Sequence, residues 1–185
     1  RCQGSICLTK LFLMANDCTK PRILIYDRLD STNLEASRIS KVSFRPHWIL
    51  TFNQYQGIGR YGKEWYSSVG NFSGSFLFFP DGSILNFAQR SFSTALSVRD
   101  TLIDFGIPSR TISFKWPNDV LLNGKKVAAI LLQTTVANSL KKGLIVGVGI
   151  NLVDLRKIYD VDKILTEMAS FSEYVKPPNP RRVLD

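Results

Sequence analysis

Two apolar segments, Val120–Leu122 and Val127–Gln133, stand either side of Asn123-Gly124. Asn-Gly is the pair that a two-residue hairpin turn favours, because both central residues need positive φ and the turn's twist matches that of the strands it joins. The chain is therefore committed to an antiparallel hairpin here, and the rest of the fold must be built in or on that sheet. Thr111–Lys115 supplies a further strand just upstream. Pro117 separates it from the hairpin, since proline fixes φ and offers no N–H to a ladder.

Other β segments are Ile23–Tyr26, Trp48–Phe52, Ser75–Phe79 (stopped by Pro80-Asp81-Gly82) and Leu144–Asn151, all rich in β-branched or aromatic residues. Two helices are expected between them. Leu34–Arg38 follows Ser31 or Thr32, with Glu35 placed for a capping box. Asn86–Phe105 puts Ala88, Phe92, Ala95, Leu96, Leu102 and Ile103 on one face and is closed by Gly106 and Pro108. These elements predict an α+β fold with a mixed, largely antiparallel sheet flanked by helices. A short helix over Ile158–Tyr174 is expected next. After Lys176-Pro177-Pro178, Asn179 as N-cap and Pro180 at the first helical position start another. That last helix has room for one turn, too little to bury a face, so the natural protein is expected to continue beyond Asp185. Residues 1–21 read as a poorly structured leader, 22–175 as one domain and 176–185 as the start of an extension.

Composition removes several functions. With 185 residues, of which 44% are hydrophobic, the chain can bury one ordinary core. No apolar run is long enough to span a membrane. The start of the chain lacks the long apolar stretch and cleavage site of a signal peptide. The three cysteines, Cys2, Cys7 and Cys18, all fall in the leader without a CxxC, so neither a disulfide framework nor a zinc site is expected. His47 is the sole histidine, and it reads as a polar residue entering a strand. The net charge of +9 comes from scattered basic residues rather than a block with interleaved aromatics, which does not favour a nucleic-acid surface. No helix-turn-helix pattern precedes the first strand.

Three places could carry chemistry. In Gln54–Trp65, Gly57, Gly59 and Gly62 let backbone N–H groups approach an anion, Arg60 and Lys63 add charge suited to phosphate, and Trp65 offers a flat apolar face. This loop is neither a Rossmann fingerprint nor a Walker A loop, as it lacks the following helix pattern and the GK[ST] ending. Lys115-Trp116-Pro117-Asn118-Asp119 presents charged and polar groups at a strand end, although Pro-Asn-Asp is also ordinary turn chemistry. Lys126, just after the turn, is either a solvated guard of a sheet edge or a charge aimed at a ligand.

Taken together, Asp30-Ser31-Thr32-Asn33, the Gly57–Lys63 loop, Lys115–Asp119, Lys126–Leu131 and Gly147-Val148-Gly149-Ile150-Asn151 resemble, in order and spacing, the biotin–protein ligases. The resemblance implies the catalytic fold shared by biotin ligases and class II aminoacyl-tRNA synthetases. It implies ATP-dependent formation of biotinyl-5′-AMP with Mg²⁺, then biotin transfer to a lysine of a biotin carboxyl carrier protein, as in acetyl-CoA carboxylase. It assigns Ser31, Thr32, Gln54, Gly57, Ile58 and Gly59 to biotin, and Arg60, Lys63, Trp65, Asn71, Asn118 and Asn151 to ATP and the adenylate. Lys126, Arg60, Lys115 and Asp119 are the expected catalytic residues, with no resident protein metal site. The acceptor, the cytoplasm as compartment and room for a homodimer come with the resemblance; nucleic acid and membrane partners do not. A lipoate ligase of the same fold and a weakened biotin-binding remnant are the alternatives. The family's loop reads Gly-Arg-Gly-Arg-x-Gly-Arg, and here Ile58 replaces the first arginine and Lys63 the last. Ala129 stands for a usual glycine and Gln133 for a usual acid. Neither the family's DNA-binding domain nor its small C-terminal barrel is recognised in these residues.

Overall fold

Asn123 and Gly124 take φ of 46° and 79° in the computed structural model, so the turn forms as its sequence demands. The structure describes residues 20–80, 84–137, 141–154 and 168–184. The turn joins β5 (Asp119–Leu122) to β6 (Lys125–Ala137). Five further strands complete the sheet: β1 (Arg22–Tyr26), β2 (His47–Thr51), β3 (Phe72–Phe78), β4 (Ile112–Lys115) and β7 (Lys141–Ile150). Their spatial order is β1-β2-β3-β7-β6-β5-β4. Only β1 and β2 run parallel, and α1 (Thr32–Ser40) lies in the connection between them. The mixed, mostly antiparallel sheet predicted above is the one observed. Among the described residues no helix is long and apolar enough to cross a membrane.

Period-two alternation gives the sheet two different faces. Trp48, Leu50, Phe72, Phe76, Val146, Val148, Ala128 and Ile130 point to the larger core, shared with Val98 and Leu102 of α2 (Ile84–Asp104). Helix α2 ends as predicted. Gly106, at φ 99°, donates to the Ile103 carbonyl while Ile107 donates to that of Leu102, the paired bonds of a Schellman cap. On the other face a smaller cluster of Ala36, Ile49, Leu77 and Ile145 seats α1.

Three expectations are not met. The capping box at α1 is not made, and the Ser31 side chain accepts no capping hydrogen bond. Gln54, from a distant loop, accepts from the Thr32 backbone N–H at 2.9 Å and from the Thr32 hydroxyl at 3.2 Å, while Ser75 Oγ donates to that hydroxyl at 2.7 Å. Glu35 instead accepts from the Tyr26 hydroxyl and from Arg38. Helix α1 is thus capped by tertiary contacts, which leaves its first residues tied into a buried polar network. The helix expected over Ile158–Tyr174 lies outside the described residues as far as 167. Beyond that, Met168 bridges to Lys126 and Phe171–Glu173 is a single 3-10 turn whose Phe171 enters the main core. The last turn, Pro180–Val183, is capped by Asn179 as expected. Against expectation it does bury a face, because Val183 and Leu184 join the main core. The cysteines lie outside the described residues. His47 opens β2, buried, with its Nδ1 2.7 Å from the Arg45 carbonyl.

Asp30, just before α1, is clamped by Arg38 and accepts from the Ser31 backbone N–H at 2.7 Å. The Arg38 hydrogen bond holds its carboxyl below the usual carboxylate range, against a smaller opposing push from burial. A carboxyl depressed in the folded state stabilises fully above its unfolded value of about 3.9, and that stabilisation is lost as pH falls through the folded value. Asp30→Asn should therefore unfold more readily than the parent at pH 6, with the gap closing toward pH 3 in urea titrations. A gap independent of pH would show that the carboxylate charge is not what fastens α1.

Candidate functional site

Registers across the sheet place Thr51, Ser73, Gly149, Ala129, Asp119 and Lys115 in one row on the α1 face. Small residues occupy the middle of the row and charged ones its β4–β5 end. The next row runs Ile49, Ser75, Gly147, Leu131. Where glycine replaces a side chain, other groups lie directly on the backbone. A Cβ on Gly147 would meet Asn33 Oδ1 at 2.2 Å, and one on Gly149 would meet the Trp65 ring at 2.5 Å. The result is a trough that becomes a cleft of about 1000 Å³ once α1 and the Gly57–Trp65 segment stand over it.

One end of the cleft is neutral and polar. Ser31, Thr32, Asn33, Gln54 and Ser73 line it, all buried. Ser75 Oγ lies 2.6 Å from Asn33 Oδ1, and Asn33 Nδ2 donates to Gln133 at 3.4 Å. These groups are oriented by one another, so they offer fixed hydrogen-bonding positions to an uncharged polar ligand.

The other end is cationic. Residues Gly57–Trp65 form a tight hairpin: Trp65 N–H donates to the Gly57 carbonyl at 2.9 Å and Gly59 N–H to that of Lys63 at 2.6 Å. Arg60 stands at its tip. Its Nη1 donates to Asn118 Oδ1 at 3.3 Å, and Asn118 is itself anchored through Nδ2 to the Ile130 carbonyl at 3.0 Å. Pro117, after a cis Trp116–Pro117 bond, accepts at its carbonyl from Ser91 Oγ of α2 at 3.0 Å. That contact ties the Lys115–Asp119 segment to α2. Asp119 Oδ2 and Lys126 Nζ form an ion pair at 2.9 Å at the start of β5 and β6. Lys126 therefore faces the cleft rather than guarding an outer edge. Among the described residues Lys63 and Lys115, also in the lining, have no carboxylate partner. Cations held before any ligand arrives are what an anion-handling site requires.

Of the expected site residues, Ser31, Thr32, Gln54, Ile58, Gly59, Arg60, Lys63, Trp65, Lys115, Asn118, Asp119 and Lys126 come together around this cleft. Gly57 sits behind it, where a Cβ would meet Trp65 O at 2.4 Å. Asn71 and Asn151 are not in the lining. Asn71 Oδ1 accepts from Val153 N–H at 2.9 Å and its Nδ2 donates to Ser68, so its amide holds two loops together. Asn151 Nδ2 lies 3.4 and 3.3 Å from the Lys126 and Ala169 carbonyls, supporting Lys126 from behind. The lining also holds Asn33, Gly147 and Gly149, which belong to the sequence motifs but carry no assigned role there, and Ser73, which no motif includes. The alternation of small residues in Ser73-Gly74-Ser75 and Gly147-Val148-Gly149 was their signal. No group of three His, Cys, Asp or Glu able to hold a metal exists among the described residues.

The Gly149–Trp65 contact yields a direct test. Gly149→Ala should displace the Trp65 ring, destabilise the fold by about 1–3 kcal/mol as overpacking does, and shift tryptophan fluorescence. A variant as stable as the parent with unchanged emission would show that the ring does not rest on this backbone.

Known proteins bear on the cleft in three ways. Residues 26–151 match the profile described as the biotin/lipoate A/B protein ligase family. A biotin–[acetyl-CoA-carboxylase] ligase of Paracoccus denitrificans is 42% identical over 125 residues, 68% of this chain and 52% of the relative. Chloroplastic biotin–protein ligase 1 of Arabidopsis thaliana is 34% identical over 130 residues, 69% of this chain and 35% of the relative. The chain thus spans about half, or less, of the length of these relatives. The biotin protein ligase of Aquifex aeolicus in complex with biotin and ATP superposes with a TM-score of 0.66 at 28% identity, covering 88% of this chain and 65% of that one. With two thirds of its length inside the family profile and the same fold around its cleft, this chain belongs to the biotin/lipoate A/B protein ligase family.

Proposed function

We propose that this chain is the catalytic domain of a biotin–protein ligase. On this reading it joins biotin to ATP as biotinyl-5′-AMP, releases pyrophosphate, and transfers the biotinyl group to a lysine of a biotin carboxyl carrier protein such as that of acetyl-CoA carboxylase. The observation that carries the reading is the polarity of the cleft: a neutral hydrogen-bonding end, a cationic end, and the small residues Ser73, Gly149 and Ala129 between them. A ligand with an uncharged polar ring at one end and a carboxylate bound for a phosphate at the other fits that gradient. Ser31, Thr32 and Gln54 then hold the ring, with Ile58 and Gly59 along its edge. Arg60, Lys63 and Lys115 receive phosphate oxygens, and Trp65 and Asn118 flank the nucleotide.

In the first half-reaction the biotin carboxylate attacks the α-phosphorus of ATP, a P–O bond breaks, and pyrophosphate leaves. Two anions must meet, so fixed cations are the main requirement, and Lys126 and Arg60 supply them. In the second, the neutral amine of the acceptor lysine attacks the acyl carbonyl and AMP leaves with the bonding electrons. On this reading Asp119 orients that amine and takes up its proton. The carboxylates in the lining, Asp119 and Glu64, are too few for a protein-built metal cage but suit Mg²⁺ held chiefly by nucleotide phosphates. Asp119 would be its protein contact, and the ion would neutralise phosphate charge. The cytoplasm, where ATP and newly made carrier proteins meet, is the compartment this reading implies.

Biotin-dependent exchange of labelled pyrophosphate into ATP tests the first step, and labelling of an apo carrier domain tests the second. Lys126→Ala should lower kcat for exchange by about 10²–10³-fold while leaving biotin binding by calorimetry nearly unchanged. Exchange supported by lipoate but not biotin would overturn the substrate assignment. Ile58 favours one further reading. It is 40% exposed in the cleft lining, where the family's loop carries arginine. Binding of biotin without exchange, restored by Ile58→Arg, would mark the chain as a biotin-binding form that has lost turnover.

A further inference from the structure

Tyr61 occupies the least comfortable backbone position in the cleft wall. Its φ and ψ of 58° and 27° are left-handed, a region that residues other than glycine, asparagine and aspartate rarely adopt, and its side chain is 88% exposed. Burial therefore does not explain the residue, and glycine would suit the backbone better. The left-handed turn, continued by Gly62 at φ 73°, folds the ring back onto its neighbour. Arg60 Cζ lies 4.9 Å from the ring centroid, and Arg60 Nη2 donates to the Tyr61 hydroxyl at 3.0 Å. Asn118 takes Nη1 at 3.3 Å. The guanidinium is thus held by three contacts, none of them a carboxylate.

We propose that Tyr61 is a positioning residue, which with Asn118 forms a neutral clamp that pre-orients the Arg60 guanidinium for a phosphate of the bound nucleotide. The chemistry of the clamp matters. An unheld arginine on an exposed hairpin samples many rotamers and must be ordered each time an anion binds. A carboxylate would order it equally well but would cancel the charge and compete with phosphate. A phenol face and hydroxyl and an amide oxygen order it while leaving its positive charge available. The role suits this chain in particular, because Ile58 leaves Arg60 as the sole arginine of the hairpin.

The role in phosphate binding rests on the ligase reading, but the clamp can be tested without it. Phenylglyoxal modification, followed residue by residue with mass spectrometry, should label Arg60 slowly in the parent protein. Labelling should be faster in Tyr61→Phe, which keeps the ring but loses the hydroxyl, and several-fold faster in Tyr61→Gly, with exposed Arg110 unchanged as reference. Tyr61→Gly should melt no lower than the parent, since it relieves the left-handed backbone, yet its kcat for biotin-dependent pyrophosphate exchange should fall roughly tenfold with KM for biotin unchanged. Partial recovery of kcat in Tyr61→Phe is expected. Equal Arg60 labelling in all three proteins overturns the clamp. So does a loss of activity in Tyr61→Gly that merely follows a fall in melting temperature. If the parent shows no exchange while the labelling order holds, the clamp stands and the ligase reading falls.

Discussion

The cleft exists because β7 carries no side chain at Gly147 and Gly149. Both walls of the cleft use that absence. Asn33 at the start of α1 rests against one glycine and the Trp65 ring against the other. The two segments that wall the cleft are thereby set at a fixed height above the sheet. A methyl group at either place would fall well inside van der Waals contact, and a close-packed interior does not absorb such an intrusion without moving its neighbours. The same strand presents Val146, Val148 and Ile150 to the opposite face, where they are buried with the aromatic residues of β3. One strand therefore supplies a full core on one side and a trough on the other.

Electrostatics divides the trough. At the α1 end, hydroxyl and amide groups satisfy one another, so no charge is stranded where burial is deepest. At the β4–β5 end the cations sit closer to solvent, and their partners differ. Lys126 is paired with Asp119, Arg60 with an amide and a phenol, and Lys63 and Lys115 with no carboxylate among the described residues. A site meant to bring a carboxylate and a polyphosphate together would be weakened if all its cations were neutralised beforehand. The arrangement keeps most of that charge available while still ordering the side chains that carry it.

Much of this was legible in the sequence because the signals were local. Asn123-Gly124 determined a hairpin, Gly106 a helix end, and the Lys115–Asp119 segment a polar corner at a strand terminus. The departures from local pattern have a common cause. Ser31, Thr32 and Glu35 have the spacing of a capping box, but Gln54 and Ser75 outcompete the local partner. Asn71 and Asn151 have side chains suited to a nucleotide, yet they lie outside the cleft lining, Asn71 bonded to the Val153 N–H and the Ser68 hydroxyl and Asn151 to the Lys126 and Ala169 carbonyls. Pro180–Val183 looked too short to bury a face, and it gains burial from β3 and the main core rather than from helical length. Local pattern gives the donors and acceptors available; it does not say which partner, many residues away, will take them.

The sequence by itself determined the strands and the two long helices, the antiparallel bias, and which residue types could meet anions, since turn geometry and period-two alternation are properties of neighbouring residues. Only the tertiary structure decided that Ser73, Gly149, Ala129, Asp119 and Lys115 share one row, because that depends on the register of five strands. It also decided that Tyr61 faces Arg60 rather than solvent alone, which follows from a left-handed backbone that no side-chain pattern specifies. Registers and clamps are set by contacts between segments far apart in the chain, and those contacts come into being only when the sheet is assembled.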